Sequence, residues 1–446
     1  MLVVMAKAAD DTPHFTSIIE EPDGTIRLNV LGIINSTYEE QYELIKLVNN
    51  MLQMPTSFHD DFFTTLIKLM DSKNETIKYE SLKTVFYIAN NSTESVHLLV
   101  QKGAILPLLN HLQSDDKNLN HISLHVFNII LQNDFLENDE ATKSNIISAL
   151  INFLECKPAD EFILQSIHIM ASMFTNQNNP LPLNAVKKVM PYLLIFLKNP
   201  NFEISSGSAY CIFLLTLDVN QKYHLTFDDS VFVELLRLLK TKNELTQQRI
   251  LTLFSSLTEK NDKQIGILFD NGILETMKEM LLENPSLENI MASVIFFQKN
   301  FFGSQKFMEE IIKSDIFSLM ISFLESDDTR VQKYISGMFL VGAFKGDAKH
   351  ILLFRQAKLF PALCNLLIKD EKSYDKKVLS NVLATILEIT SKAEDYKCQI
   401  FQDFEECGAI EVVIRLESDE DDEIQGFAKE IMLFYDQHGN TCSKRY

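Results

Sequence analysis

A leucine recurs every 42 or 43 residues along most of this chain, at Leu69, Leu112, Leu154, Leu197, Leu239, Leu282, Leu324 and Leu367. Each closes an apolar run, and a polar turn follows it. Asp71-Ser72-Lys73, Ser114-Asp115-Asp116, Lys198-Asn199-Pro200, Glu283-Asn284-Pro285 and Glu325-Ser326-Asp327 are examples. A constant period of this length is the mark of stacked repeats, each too small to bury its own apolar face alone. Such a stack works through an extended surface rather than one deep active site.

The local pattern is helical almost throughout from Thr25. Asn91-Ser92-Thr93-Glu94 has a capping residue followed by acid, the signature of a helix start. Val96, Leu98, Leu99 and Val100 make a short apolar helix that Gly103 ends, because glycine accepts the left-handed conformation of many helix stops. Residues 104–112 make a second helix, with proline tolerated in its first turn. Residues 119–132 make a third, with Ile122, Val126, Ile129 and Ile130 on its apolar face. Gly272 and Gly408 hold the place of Gly103, and Pro191 and Pro361 fall near the starts of second helices. Three helices per unit is the armadillo form. The fold class expected is all-α: a right-handed superhelical armadillo-repeat solenoid of about nine to ten three-helix repeats. Residues 1–24 read as a flexible amino-terminal tail, 25–437 as the solenoid and 438–446 as a carboxy-terminal tail.

Composition agrees. The chain is 46% hydrophobic and 23% charged, a folded composition, and glycine (13) and proline (11) are scarce. The net charge of −20 argues against a nucleic-acid partner, for which a basic surface supplies most of the affinity. No stretch approaches the ~20 apolar residues of a membrane span. The six cysteines form no C-x-x-C pair and fit a reducing compartment. Catalytic and cofactor motifs are absent, so neither an enzyme nor a cofactor is expected. His121 and His125 stand at a metal-ligand spacing but show no third ligand in sequence, and they read as helix-surface histidines. Cys398 and Cys407 flank Asp403–Glu406 without a histidine base and read as buried thiols. The acidic run 417–423 reads as a solvated turn.

The chain resembles importin α (karyopherin α) collinearly from about residue 28 to residue 437. Residues 178–186, Asn-Asn-Pro-Leu-Pro-Leu-Asn-Ala-Val, resemble that family's fourth-to-fifth repeat junction, and Phe404-Glu405-Glu406-Cys407-Gly408-Ala409-Ile410 the start of its last repeat. Lys260–Gln264 and Asp270–Leu274 match a further family segment. The resemblance implies an adaptor of nuclear protein import, working in cytoplasm and nucleus and holding protein segments in a groove lined by third helices. In the family those helices carry W-x-x-x-N. Tryptophans flank the stems of lysine and arginine, asparagines bond the peptide backbone, and acids meet the cationic heads.

Here that motif has been replaced at nearly every unit, and the chain holds no tryptophan. Alignment by repeat puts the pair on Lys83 and Tyr87, Leu124 and Asn128, His168 and Ser172, Tyr210 and Leu214, Thr252 and Ser256, Ile295 and Lys299, and Gly337 and Val341. An acid of the family falls on Gln132, with Asp134 nearby. Asn128 and Tyr210 are the foremost peptide-binding candidates, followed by Tyr87, His168, Ser172 and Ser256, while Leu124, Leu214, Ile295 and Val341 are expected to pack between units. The family's basic importin-β-binding segment has no counterpart, since residues 1–30 hold only Lys7 and Arg27 as basic residues. The last repeat keeps the family pattern, which implies contact with the export receptor there. Two functional expectations follow: an importin-α-like adaptor, or an armadillo scaffold that has left transport and basic-signal recognition.

Overall fold

The computed structural model describes residues 60–133, 140–175, 181–217, 227–258, 262–283, 285–301, 305–369, 375–393 and 396–442, with short pieces between residues 18 and 46. Asp134, residues 178–180 and Lys260-Asn261 lie outside the described residues, as does most of the segment read as the amino-terminal tail. The chain forms two compact units, Met1–His224 and Leu225–Tyr446.

In the first unit, a two-stranded antiparallel hairpin (β1, Ile18–Glu20; β2, Ile26–Leu28) stands where the sequence suggests a tail and then a helical start. Four repeats follow: α1 (Asp60–Met70) with α2 (Glu75–Asn91); α3 (Thr93–Gln101), α4 (Ile105–Leu112) and α5 (Lys117–Gln132); α6 (Glu140–Glu155) with α7 (Asp160–Thr175); and α8 (Leu183–Leu197) with α9 (Phe202–Thr216). The second unit holds five. They are α10 (Asp229–Leu239) with α11 (Glu244–Thr258); α12 (Asp262–Asp270), α13 (Ile273–Glu283) and α14 (Leu287–Phe301); α15 (Gln305–Lys313), α16 (Asp315–Ser322) and α17 (Thr329–Lys345); α18 (Ala348–Gln356), α19 (Leu359–Lys369) and α20 (Lys376–Lys392); and α21 (Lys397–Glu406), α22 (Ala409–Leu416) and α23 (Asp422–Cys442). Nine all-α repeats therefore make the solenoid among the described residues. The last helix passes the boundary expected at residue 437.

The expected three-helix form holds in five repeats, while the other four show two helices among the described residues. Pro191 lies inside α8 and not at the start of a second helix. The pattern of stacking is the same in both units. Third helices lie side by side in chain order, α2–α5–α7–α9 in the first and α11–α14–α17–α20–α23 in the second, and second helices form a parallel row.

The polar turn after most of the periodic leucines has a physical role: it caps the third helix. The side chains of Asn74, Asp116, Asn201, Asn243, Asp328, Asp375 and Asp421 accept backbone N–H bonds from the first turn of the following helix. These N–H groups have no partner within the helix. A carboxamide in the body of the third helix then bonds turn carbonyls. Asn120 donates to Ser114 O, Gln247 to Leu239 O and Thr241 O, Gln332 to Leu324 O, and Gln425 to Asp419 O. Gln247 also accepts from Asn289 Nδ2 of the next repeat at 3.2 Å, which links two turns across the stack. The acidic run at 417–423 is one of these turns, and the Ile424 backbone N–H and Lys376 hold the Asp421 carboxyl below the usual carboxylate range.

Gly103, Gly272 and Gly408 have φ of +94°, +78° and +72°, so the first-to-second helix corner uses the left-handed conformation the sequence indicates. Lys358 takes the same corner at +64° without a glycine. First helices of the last two repeats are tied by a fork: Arg355 Nε and Nη2 donate to the Asp403 carboxylate at 2.6 and 3.0 Å.

Seven of the eight periodic leucines are 6% exposed or less; the exception is Leu282, at 60%. Leu281, 1% exposed, fills the core place in that repeat. Leu239→Ala should therefore lower stability by about 2–5 kcal/mol, whereas Leu282→Ala should stay within about 0.5 kcal/mol. Denaturant midpoints of the two variants check this.

His111, at the end of α4, is 3% exposed, and its Nε2 donates to Met70 O of the preceding repeat at 2.8 Å. Burial, the largest influence, holds the imidazole below its ordinary pKa despite the raising effect of the Met70 carbonyl. The unfolded chain binds the proton first as pH falls. The stability contributed by neutral His111 is thus full above about pH 6.5 and is lost as pH falls from there through the lowered folded value. Urea unfolding between pH 7.5 and 5 should show a steeper loss in the native chain than in His111→Gln; equal slopes would assign the titration elsewhere.

Candidate functional site

The third-helix row of the first unit brings together five of the residues singled out in the sequence. Tyr87 lies on α2, Asn128 on α5, His168 and Ser172 on α7, and Tyr210 on α9. Their positions follow from the helical period. Leu124 and Leu214, four residues from Asn128 and Tyr210, are buried between helices and leave their partners toward solvent. Close approach of α9 to α7 rests on Gly207, where a Cβ would come within 3.0 Å of Ile167 Cγ2.

The outward residues form a band. Tyr87 is 41% exposed, and its neighbour Phe86 packs against His125 with ring centroids 5.8 Å apart. His125 Nε2 meets His121 Nε2 at 3.3 Å and the Gln165 amide nitrogen at 2.9 Å. Burial, and secondarily His121, lowers the pKa of His125. The Asn128 Oδ1 and Gln165 Oε1 atoms are buried without a hydrogen-bond partner, leaving acceptor capacity unused beside this band. Tyr210 stacks on Phe213 at 6.2 Å and 25°. The Ser172 hydroxyl donates to His168 O at 3.1 Å, so toward a ligand it is an acceptor.

Ser256 sits on α11 in the second compact unit. Its hydroxyl donates to Thr252 O at 3.1 Å, and that of Thr252 to Gln248 O at 2.9 Å. Ile295, expected to pack between repeats, is 39% exposed, because it lies on the outward face of α14 while Phe296 and Phe297 fill the core. Val341 is half-buried.

Sequence reasoning missed the centre of the band. Phe86, His121, His125 and Gln165 form its connected middle, and His121 and His125 are half-buried rather than ordinary surface histidines. The signal was one turn away: His125 precedes Asn128, and Gln165 precedes His168, by three residues on the same helix face. The expected buried thiols also differ, since Cys407 is half-buried and Cys398 is exposed and disulfide-bonded.

The electrostatics of the band are neutral. Lys83 lies 3.7 Å from Glu80, and Glu161 and Glu203 sit toward the starts of their helices. Among the described residues, the band formed by Tyr87, His125, Asn128, Gln165, His168, Ser172, Tyr210 and Phe213 holds no carboxylate, and the helix ends beyond carry Asn90, Gln132, Asn133, Thr175 and Thr216. Among the described residues no single helix is long and apolar enough to cross a membrane.

Comparison with known proteins agrees with the architecture and finds a distant sequence similarity. No protein-family profile matches the chain. Over 232 residues it is 20% identical to importin subunit alpha-2 of Caenorhabditis elegans, a match that covers 51% of this chain and 43% of that protein. The chain thus spans less than half the length of this curated relative. A crystal structure of an engineered protein superimposes with a TM-score of 0.66 at 17% identity, covering 91% of this chain and 98% of that one. A designed armadillo repeat protein gives 0.46 at 20% identity over 55% of this chain and 99% of its own. Three-helix repeats with stacked third helices and left-handed glycine corners make this an armadillo scaffold of the kind suited to binding protein segments.

Proposed function

We propose that the chain is a protein-interaction scaffold that holds an extended segment along the third-helix face by backbone hydrogen bonds and aromatic contacts, and that it has given up strong selection for lysine and arginine. The observation that carries this reading is the chemistry of the band: amides, hydroxyls, imidazoles and aromatic rings, with no carboxylate among its described residues Tyr87, His125, Asn128, Gln165, His168, Ser172, Tyr210 and Phe213. A cationic side chain laid there meets no countercharge and no tryptophan wall. An extended backbone, by contrast, finds a hydroxyl acceptor in Ser172, a carboxamide in Asn128 and flat apolar surface in Tyr87 and Tyr210. Binding, and not catalysis, is the work such a face supports.

A second reading keeps the chain in nuclear import as an importin-α-like adaptor moving between cytoplasm and nucleus. The 20% identity to importin subunit alpha-2 favours it, as does the last repeat with its family-like start at Phe404–Ile410. On this reading the export receptor would bind at the carboxy-terminal repeats. Importin β would need a route other than an amino-terminal basic segment.

The two readings separate in one set of measurements. Anisotropy with a fluorescent basic localisation peptide, and pull-downs with importin β and the export receptor, should all be negative for the scaffold. Binding of the basic peptide with sub-micromolar affinity would overturn it in favour of import. For a peptide selected from an uncharged library, Asn128→Ala and Tyr210→Ala should each cost about 1–2 kcal/mol of affinity, the scale of a hydrogen bond or an aromatic contact. Circular dichroism should stay unchanged, and unaltered affinity would place the ligand on another face.

A further inference from the structure

The middle of the band brings two imidazole nitrogens and a carboxamide from two repeats to one point. His121 and His125 are one turn apart on α5, so both rings leave the same side of the helix. Their rings stand at 83° with centroids 4.6 Å apart, and the two Nε2 atoms are separated by 3.3 Å. Gln165 reaches across from α7 to place its amide 2.9 Å from His125 Nε2. Its other amide atom, Oε1, is buried without a partner. The oxygen and nitrogen of a carboxamide exchange places by a half-turn, which would set an oxygen donor where the nitrogen now stands. Phe86 and Phe162 pack on the two imidazoles at 5.8 and 5.9 Å and fix their orientation.

The spacing can be compared with what a metal requires. Two nitrogens about 2.0–2.1 Å from one zinc ion, at the tetrahedral angle, lie about 3.3–3.4 Å apart. That matches the observed separation of the two Nε2 atoms. Imidazole suits zinc, copper and nickel, whereas the hard ions calcium and magnesium seek carboxylates. Among the described residues no three of His, Cys, Asp and Glu stand together as a metal-holding group, so this set is two imidazoles completed by an amide.

We propose that His121, His125 and Gln165 form a site for a divalent transition ion of the zinc, nickel and copper group, with its remaining coordination open to water or to a side chain of the bound segment. The ion would bridge α5 and α7 and so fix the spacing of the two helices that carry Asn128, His168 and Ser172. A two-imidazole site of this kind binds less tightly than a closed four-ligand zinc site.

The test uses the full chain, untagged and stripped with chelator. Titration calorimetry with zinc chloride should show one binding event per chain. His121→Ala and His125→Ala should each weaken it about tenfold or more, the lower end of what even an outer-shell change costs a metal site. Gln165→Ala should weaken it less, and His97→Ala, an exposed histidine on α3, should leave it unchanged. With copper(II), electron paramagnetic resonance should show two coupled imidazole nitrogens in the native chain and one in either single variant. Zinc affinity unchanged in the His121→Ala/His125→Ala double variant would overturn the proposal, as would a native chain that binds no more zinc than the folded double variant. Circular dichroism of each variant separates loss of ligand from loss of fold.

Discussion

Every feature of this molecule depends on one contact, the packing of each third helix against the third helix of the next repeat. A single repeat of two or three helices exposes too much apolar surface to stand alone. Side by side, the third helices bury residues such as Val126, Phe127, Ile130, Ile167, Met170 and Ile212 to complete exclusion of water. Each leucine-sized side chain buried in this way contributes about 1.5–3 kcal/mol before conformational entropy is counted. Register then becomes a strict requirement, and the capped turns supply it. An Asn or Asp sets the first residue of the third helix, and a carboxamide further along ties that helix back to the turn carbonyls. The period is therefore kept by hydrogen bonds as much as by leucines.

The same constraint leaves one face of each third helix without packing duty. In the first compact unit that face has become a connected strip of rings, amides and hydroxyls. Its histidines and Gln165 join neighbouring repeats through polar contacts, where the core joins them through apolar ones. Among its described residues the strip holds no carboxylate. Stacking restrains the inward residues of each third helix and leaves the outward ones free of that duty.

Much of this was legible in the amino-acid order. The helix start at Ser92 is a side-chain cap as its neighbours suggest, the glycine corners are left-handed, and Leu124 and Leu214 are buried. The misreadings have local physical causes. Leu281 and Leu282 are equivalent in hydropathy, and only the rotation of α13 against its neighbours decides which one enters the core. Pro191 signals a helix start wherever it falls near one, yet α8 runs on either side of it. His121 and His125 look like surface residues because their partners, Phe86 and Gln165, come from other repeats some 40 residues away.

The sequence by itself determined the class of fold, the length and phase of the repeat, the capped turns and the helix faces available to a ligand. All of these follow from periods of a few residues and from a constant spacing, which a linear pattern records directly. The tertiary structure alone decided what those faces offer: which leucine is core, where unpartnered amide oxygens stand, and that two imidazoles and an amide meet at one point. Such properties depend on distances of 3–4 Å between helices far apart in the chain, and a rotation of one helix by a single residue, about 100°, would undo them.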